Sequence, residues 1–284
     1  MIPLLDRYQF VTPASLAAVL DDLALYPAAR PFAGGTDLMV VLEAGHLPPG
    51  RYVSLQNCRE LLGIEEAAGA IAIGALVTYT EIGKSVLLAP RHSLLGLAAR
   101  ETGGLATQNR GTIGGNIANA SPAADTPPAL LAYDAQLELM SCGGTRRVPY
   151  ADFHRGYKQM DLAPGELIAR IHLPARQDGW RDYYRKVGTR RAQAIAKVSF
   201  AGAILMEEDR VKDVRIALGS VAPTVVRATL TEEMLRGKRL DAEALSVAEK
   251  ALASEIAPID DIRSNAHYRG RVAGNLLREF LAPG

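Results

Sequence analysis

QNRGTIGGNIANASPAADTPPALL, residues 108–131, is the stretch that says most about the fold of this 284-residue chain. It joins a Gly-Gly pair to small hydroxyl and amide residues, and it becomes apolar only at its end. Because glycine carries no Cβ, the backbone there can approach a ligand closely. Bare N–H groups beside Thr112, Asn116 and Ser121 are what a phosphate or a polar ligand chain requires. The alternative is a surface loop punctuated by Gly and Pro.

A second glycine-rich segment, AGGTD at residues 33–37, lies nearer the N-terminus. It follows a short predicted strand and precedes a predicted helix over residues 38–43, an arrangement that presents free N–H groups and the helix dipole to a phosphate. We expect Asp37 to cap that helix while the backbone donates to the ligand. A plain tight turn is the alternative, and the glycine spacing disfavours a Rossmann dinucleotide site.

The composition is that of an ordinary globular protein, with 48% hydrophobic residues, 22% charged residues and a formal net charge of +1. Without a strongly basic lobe, we expect no nucleic acid and no anionic membrane as partner. Two cysteines, Cys58 and Cys142, are too few for an iron–sulfur cluster, and they favour a reducing, cytoplasmic compartment. We predict no signal peptide and no membrane span, because the apolar pattern of neither is present.

The pattern of predicted elements divides the chain into three units. Residues 1–55 predict a small α/β unit, whose first helix is signalled by Thr12 followed by Pro. Residues 56–175 predict strands and short helices around the opening stretch. Residues 176–284 predict an antiparallel meander of three strands followed by helices, which argues for an α+β fold.

A glycine-rich segment in each of the first two units indicates that both segments line one cleft. An extended ligand carrying a pyrophosphate would lie there, with its polar chain held by Asn116, Ser121 and Asp125. FAD has that shape.

Six motifs in order resemble the flavoprotein medium subunit of the molybdenum hydroxylases, the relatives of xanthine dehydrogenase and carbon monoxide dehydrogenase. They are AGGTD at residues 33–37, TIGGN at 112–116, NASPAAD at 119–125, PGELIARIHLP at 164–174, YRKVGTRR at 184–191 and IAKV at 195–198. The last two look closer to the xanthine dehydrogenase branch. The resemblance covers nearly the whole chain, and the motifs are specific as a set although each is weak singly.

The resemblance implies an α+β fold in three parts. A two-lobed FAD-binding domain of the vanillyl-alcohol-oxidase (PCMH) type would occupy residues 1–55 and 56–175. The family's C-terminal domain, with a three-stranded antiparallel sheet and helices, would occupy residues 176–284. The implied cofactor is non-covalent FAD.

By matched position, the resemblance assigns residues 31–38 to the pyrophosphate and residues 112–116 to the rest of the dinucleotide. Asp125 would bond a flavin hydroxyl, Ile168 would lie against the isoalloxazine ring, and Lys186 would approach the cofactor from the third unit. The implied cofactor-binding residues are Pro31, Phe32, Ala33, Gly34, Gly35, Thr36, Asp37, Leu38, Gly111, Thr112, Ile113, Gly114, Gly115, Asn116, Ala124, Asp125, Ile168 and Lys186.

Several of these residues have a structural alternative. Asp125 precedes a Thr-Pro pair and is a good cap for the following helix. Ile168 alternates in a strand and fits a core position. Lys186 belongs to a basic cluster that fits a solvated face, and residues 189–194 fit a subunit contact. The five histidines have neither metal nor triad spacing, so we expect no metal site and no catalytic residue in this chain.

The resemblance implies an electron-transfer subunit of a larger enzyme. A molybdopterin-binding large subunit would hold the molybdenum cofactor, and a small subunit would hold the [2Fe–2S] clusters, as a dimer of heterotrimers. Electrons would leave through FAD to NAD⁺ or another acceptor, and the substrate pocket would lie in another chain. The alternatives are a self-contained flavoenzyme of the same fold, an oxidase or a reductase, and a nucleotide-binding regulatory protein without turnover.

Overall fold

A computed structural model describes residues 7–190 and 193–282 of the chain. The signal-peptide prediction concerns the first residues, which lie outside the described part. Arg191, the last residue of the YRKVGTRR motif, lies outside it as well. The α+β class is confirmed, because one parallel sheet, two larger antiparallel sheets and eleven α-helices are described between residues 7 and 282 with the gap at 191–192.

The N-terminal lobe is a parallel sheet of strand order β1-β3-β2 with helices beside it. Its elements are β1 (Tyr8–Val11), α1 (Leu16–Leu25), β2 (Arg30–Phe32), α2 (Leu38–Glu43) and β3 (Gly50–Ser54). Helix α1 begins at Leu16 because the Ser15 hydroxyl accepts a hydrogen bond from the N–H of Ala18 at 3.2 Å. The predicted start at Thr12 is therefore wrong by one turn.

The second lobe is an antiparallel sheet of order β4-β5-β10-β6-β7, covered on one face by short helices. Its strands are β4 (Ile64–Ala67), β5 (Ala70–Gly74), β6 (Gln136–Ser141), β7 (Gly144–Pro149) and β10 (Leu167–Leu173), and a separate hairpin is formed by β8 (His154–Gly156) and β9 (Gln159–Met160). Its helices are α3 (Tyr79–Lys84), α4 (Ser93–Glu101), α5 (Leu105–Gln108), α6 (Ile113–Ala118), α7 (Pro127–Ala132) and α8 (Tyr150–Phe153).

The C-terminal part has a four-stranded antiparallel sheet rather than the predicted three strands. Its elements are β11 (Trp180–Val187), β12 (Val198–Glu207), β13 (Arg210–Gly219), β14 (Val226–Arg227), α9 (Thr229–Leu235), α10 (Ala242–Glu255) and α11 (Ala266–Leu281). Strand β14 was missed because it has only two residues, which is too short for an alternating pattern to show.

Strand β10 explains how the two N-terminal lobes share one framework. It is buried on both faces: Ile171 and Leu173 point into the core under the helices of the second lobe, while Leu167 and Ala169 pack with Val19 and other residues of the first lobe. A strand buried on both faces has a nearly continuous apolar sequence. One central strand therefore fixes the position of the first lobe against the second.

The C-terminal sheet packs on the second lobe through small side chains. Along β12, Ala201 and Ala203 face the core of the second lobe, whereas Phe200 and Ile204 face the core under α10 and α11. Successive side chains of a strand point to opposite faces, so this alternation of small and large residues separates the two cores. The small face lets helix α7 lie close to the sheet.

No helix in the described ranges is both long and apolar enough to cross a membrane.

We predict that Phe280→Ala lowers the free energy of unfolding by about 3–5 kcal/mol, because it empties the centre of the C-terminal core. The Phe280 ring is fully buried, with its centroid 5.5 Å from that of Phe200 and 5.9 Å from that of Tyr183. Urea unfolding measures the loss. Ile262→Ala is the control, because Ile262 is 97% exposed and should cost less than about 0.5 kcal/mol. Equal losses in both variants would contradict this packing.

Candidate cofactor-binding site

A cleft of about 1670 Å³ is lined by residues from all three parts of the molecule. The first lobe contributes residues 30–38 of the first glycine segment, and the second lobe contributes residues around the second one. The C-terminal part closes the far end with Ser220, Arg263 and Arg269. A pocket for a drug-sized ligand holds roughly 300–1,000 Å³, so this cleft has room for an elongated molecule.

The two glycine-rich segments touch each other at the base of the cleft. A Cβ on Gly34 would stand 1.7 Å from the carbonyl oxygen of Arg110, which lies two positions before the TIGGN motif of the second segment. A Cβ on Gly111 would stand 2.6 Å from the ring of Tyr79. Both positions need glycine because another backbone or a buried ring lies against them. The prediction that both segments line one cleft is confirmed by this geometry.

The first segment presents unused backbone donors. The backbone N–H groups of four residues that line the cleft donate no hydrogen bond to any described part of the protein. They belong to Gly34, Gly35, Thr36 and Asp37. Gly35 has φ +75°, a left-handed conformation that turns the chain at this point. Successive free N–H groups at a glycine-rich turn form a concave site for an anion.

The second segment does not present free donors, contrary to the expectation from its sequence. It is helix α6, whose first N–H groups are already used: Ile113 donates to Val77 O at 3.0 Å and Gly114 donates to Ala75 O at 2.9 Å. The Thr112 hydroxyl accepts from the N–H of Gly115 at 3.2 Å as the helix cap. Its role is therefore to pack closely and form a wall.

The close packing of α6 explains its first glycine. A Cβ on Gly114 would lie 2.6 Å from Cβ of Ala75, and Ile113 is fully buried. Of the residues predicted from this segment, Thr112, Gly115 and Asn116 line the cleft. Gly111, Ile113 and Gly114 lie behind that wall, and their predicted contact with FAD stays a prediction.

Asp37 does not cap helix α2, so that prediction is wrong. It has helical φ and ψ, and its side chain makes no capping hydrogen bond. Its carboxylate instead accepts a hydrogen bond across the cleft from Nδ2 of Asn119 at 3.2 Å. The acidic residue of the first segment thus ties the first lobe to the second.

Asp125 and Lys186 form a buried ion pair between the second lobe and the C-terminal part. Oδ2 of Asp125 lies 2.8 Å from Nζ of Lys186, which also donates to the carbonyl of Glu101 at 2.8 Å. Burial raises the pKa of Asp125 to about 6, against the opposing influence of Lys186. Helix α7 shows no side-chain cap, so the alternative that Asp125 caps this helix is wrong.

Oδ1 of Asp125 is buried, and no residue in the ranges 7–190 and 193–282 makes a hydrogen bond of ordinary length and angle with it. The preceding residue, Ala124, lines the cleft, so this oxygen belongs to the residue next to the cleft wall. A buried acceptor without a partner is costly and rare in native proteins. It is therefore a candidate contact for a donor group of a bound ligand.

Ile168 lies in the core of the second lobe with 5% of its surface exposed, beside a bulge in the pairing of β10 with β6. The burial of Ile168 thus agrees with the alternative interpretation, in which its place in an alternating strand makes it a core residue. Contact between Ile168 and an isoalloxazine ring stays a prediction, as does direct contact between Lys186 and the cofactor.

Several lining residues carry no signal in the sequence. Tyr157 and Lys158 come from the tip of the β8–β9 hairpin, and Arg263 and Arg269 come from the C-terminal helical region. Their motifs are too short or too ordinary to be singled out before the fold brings them to the cleft. Four basic residues and two acidic residues line it, an excess of positive charge that suits a pyrophosphate.

Comparison with known proteins gives two matches that together cover most of the chain. Residues 6–176 match the family described as the FAD binding domain in molybdopterin dehydrogenase, and residues 183–283 match the CO dehydrogenase flavoprotein C-terminal domain. The chain is 33% identical to the glyceraldehyde dehydrogenase medium chain of Sulfolobus acidocaldarius, over 94% of each chain. It is 28% identical to a putative xanthine dehydrogenase FAD-binding subunit of Escherichia coli, over 98% of this chain and 96% of that one.

Among solved structures, a carbon monoxide dehydrogenase from Hydrogenophaga pseudoflava that lacks the Mo-pyranopterin moiety is similar, with a TM-score of 0.92 and 30% identity. The match covers 96% of this chain and 95% of that one. These identities do not favour the xanthine dehydrogenase branch over the carbon monoxide branch.

The cleft fits FAD by three observations. Free N–H groups of the first segment suit a pyrophosphate, and the volume of the cleft suits a dinucleotide. The unpartnered Oδ1 of Asp125, the residue that follows the lining residue Ala124, suits a donor group of the cofactor.

We predict that Gly34→Ala weakens FAD binding at least about tenfold, because relieving its contact with Arg110 O costs about 1–3 kcal/mol and separates the two glycine-rich segments. Fluorescence titration of the deflavo-protein with FAD measures the affinity. Gly270→Ala is the matched control, because a Cβ there meets nothing within 4 Å and the residue lies in helix α11. Wild-type affinity in Gly34→Ala would show that the cofactor does not depend on this contact.

We predict that Asp125 makes the protein less stable as the pH rises from about 4 to about 6. In that range the folded protein holds a proton on Asp125, whose pKa is about 6, that the unfolded chain with pKa 3.8 has already lost. The free energy of unfolding of the wild type minus that of Asp125→Asn should therefore fall through this window in urea experiments.

Asp178→Asn is a control for which the free energy of unfolding should depend on pH in the opposite direction. The neighbouring Arg91 lowers the pKa of the exposed Asp178, so its small contribution should be lost as the pH falls. A wild-type to Asp125→Asn difference that is constant between pH 4 and pH 6 would contradict the raised pKa.

Proposed function

The chain belongs to the FAD-binding medium subunits of the molybdenum hydroxylases, and on that premise we propose that it carries electrons from a small iron–sulfur subunit to an external acceptor. Bound FAD would supply the chemistry, accepting electrons from the [2Fe–2S] clusters of that subunit and passing them to NAD⁺ or another acceptor. Hydroxylation would take place at the molybdenum cofactor of a large molybdopterin-binding subunit. We propose a dimer of heterotrimers as the assembly.

The observation that carries the proposal is the cleft shared by all three parts of a chain that matches both family domains. The protein's contribution is to hold and orient the cofactor. The first segment donates backbone N–H groups to it, helix α6 walls it, and the C-terminal part closes the far end. We propose residues 1–55, 56–175 and 176–284 as the two lobes and the C-terminal domain.

We propose that the electron source lies in another chain. The chain contains two cysteines, which is about half the thiolates that an iron–sulfur cluster needs. In the described part of the chain, no three His, Cys, Asp or Glu side chains converge to hold a metal ion. Because both cysteines are free thiols, we propose that the complex works in the cytoplasm.

Purification from the native host tests this function. We expect a yellow protein with non-covalent FAD that copurifies with one iron–sulfur subunit and one molybdenum-containing subunit. Bleaching of the flavin absorbance by the substrate of the complex, and its recovery with NAD⁺ or with oxygen, would identify the acceptor. A lone flavoprotein that turns over a substrate by itself would contradict the proposal.

We predict that Lys186→Met lowers the midpoint potential of bound FAD at pH 9, because it leaves the buried carboxylate of Asp125 without its positive partner. Negative charge near a cofactor disfavours its reduction. The fall should shrink near pH 7, since Lys186 lowers the pKa of Asp125 and its loss lets the carboxyl take up a proton. Spectroelectrochemical titration measures the potential.

Two variants frame that measurement. Asp125→Asn should raise the potential at pH 9 because it removes the negative charge. Lys212→Met should leave the potential unchanged, because Lys212 pairs with Glu207 at an exposed turn far from the cleft. An unchanged potential in Lys186→Met at pH 9 would exclude an electrostatic effect of Lys186 on the cofactor.

A further inference from the structure

A chain of hydrogen bonds crosses the mouth of the cleft from one lobe to the other. Lys158 donates from Nζ to Oδ1 of Asn119 at 2.6 Å and also to the main-chain oxygen of Asn119. Asn119 in turn donates from Nδ2 to Oδ1 of Asp37 at 3.2 Å. We name Lys158, Asn119 and Asp37 the strap.

All three residues of the strap line the cleft, and they come from different elements. Asp37 ends the first glycine-rich segment, Asn119 follows helix α6, and Lys158 stands at the tip of the β8–β9 hairpin. Asp37 and Lys158 are exposed and Asn119 is half-buried, so the strap lies at the open side of the cleft. It therefore spans the opening through which a ligand enters.

The strap has a defined direction because its ends carry opposite charge. An ammonium group only donates hydrogen bonds and a carboxylate only accepts them. The amide of Asn119 can satisfy both neighbours in one orientation alone, with its oxygen toward Lys158 and its nitrogen toward Asp37. Lys158 thus fixes the amide so that Nδ2 faces the opposite lobe.

The hairpin that carries Lys158 is held at its base by buried contacts, whereas its tip is exposed and meets helix α6 through the Lys158 to Asn119 bonds. Phe153 is fully buried just before it, and Nε2 of His154 lies 3.0 Å from the main-chain oxygen of Ile117 in helix α6. The two-stranded hairpin belongs to none of the larger sheets. Lys158 itself has φ +56°, and the adjacent Tyr157 is 64% exposed.

The bond that joins the two lobes across the opening is the one between Asn119 and Asp37. Its partners lie on the surface, where such a bond breaks and re-forms readily. The free N–H groups of the first segment lie directly beside Asp37, so a pyrophosphate held there would be covered by the strap. A ligand that leaves past the strap would then require the Asn119 to Asp37 bond to open.

We infer that the strap closes the cleft over the pyrophosphate of the bound dinucleotide and sets how fast the cofactor enters and leaves. Lys158 acts through Asn119 as a positioning residue, and Asn119 makes the bond between the lobes. This inference rests on the proposal that FAD lies in the cleft. It adds a retention device in which Asp37, already assigned to the cofactor by resemblance, is joined by Asn119 and Lys158, which are not.

The test measures both rate constants of FAD on the purified complex. Exchange of bound FAD for excess radiolabelled FAD gives the release rate, and stopped-flow quenching of FAD fluorescence by the deflavo-complex gives the binding rate. We expect Asn119→Leu to release FAD about tenfold faster, equivalent to about 1.4 kcal/mol at 25 °C. It should also bind FAD faster, because the opening is no longer bridged.

Variants of Lys158 test whether this residue acts by positioning Asn119 or by contacting the cofactor directly. Lys158→Met should accelerate release and binding to a smaller extent than Asn119→Leu, and Lys158→Arg should restore both rates to within about twofold of wild type, since a guanidinium can still donate to Asn119. In an Asn119→Leu background, Lys158→Met should add nothing, because the two residues act in one chain. Lys212→Met is the matched control with an exposed, paired lysine and should match wild type.

Three results would overturn the inference. Release and binding rates of Asn119→Leu equal to those of wild type would exclude the strap. If FAD is released faster but does not bind faster, the residues of the strap contact the cofactor directly and do not close the cleft. Additive effects of Lys158→Met and Asn119→Leu would mean that Lys158 acts on the cofactor directly.

The Gly34→Ala variant tells a failure of the strap from a failure of the proposed site. If Gly34→Ala weakens FAD binding while the strap variants release FAD at the wild-type rate, the cofactor lies in the cleft and only the strap is excluded. If neither kind of variant changes FAD binding, the cofactor lies elsewhere and the proposed site fails as well.

Discussion

The contact between Gly34 and the carbonyl oxygen of Arg110 is the constraint on which the cleft depends. The two backbones meet so closely that even one methyl group at residue 34 would overlap the carbonyl. Through this contact the first lobe rests on the loop that leads into helix α6. Strand β10 joins the two lobes through a shared core, and the Gly34 contact adds a second point at which their backbones meet, beside the cleft.

The two glycine-rich segments look alike in sequence and do different physical work. In the first, glycine leaves N–H groups free at a turn, with a left-handed residue at Gly35. In the second, Gly114 lets a helix lie against Ala75, and the N–H groups of the first turn are satisfied inside the protein. An anion would therefore be held from one side only. The opposite side offers a closely packed wall and, further along, the polar side chain of Asn116.

Long alternating or helical patterns in the sequence made most helices and strands predictable. Contacts between segments that are distant in the sequence could not be predicted from it. The hairpins around residues 64–73 and 136–149 and the helices near the C-terminus follow from hydrophobic periodicity and turn residues. Helix α6 was missed because a Gly-Gly pair lowers helix propensity, and the burial of its apolar face outweighs that cost. The partner of Asp37 could not be read from the chain, because Asn119 lies 82 residues away.

The ion pair of Asp125 with Lys186 argues for a role beyond stability. A buried pair is costly to desolvate, and a well-packed apolar pair of similar volume is often at least as stable. Here the desolvation cost is greater, since Oδ1 of Asp125 accepts no well-formed hydrogen bond from the part of the chain that the structure describes. The pair also joins the second lobe to strand β11, so it fixes how the C-terminal part lies against the cleft. A carboxylate with one oxygen paired and the other unpaired is fully satisfied only when a further donor reaches it. Asp125 directly follows Ala124, which lines the cleft, so a bound ligand is the nearest candidate for that donor.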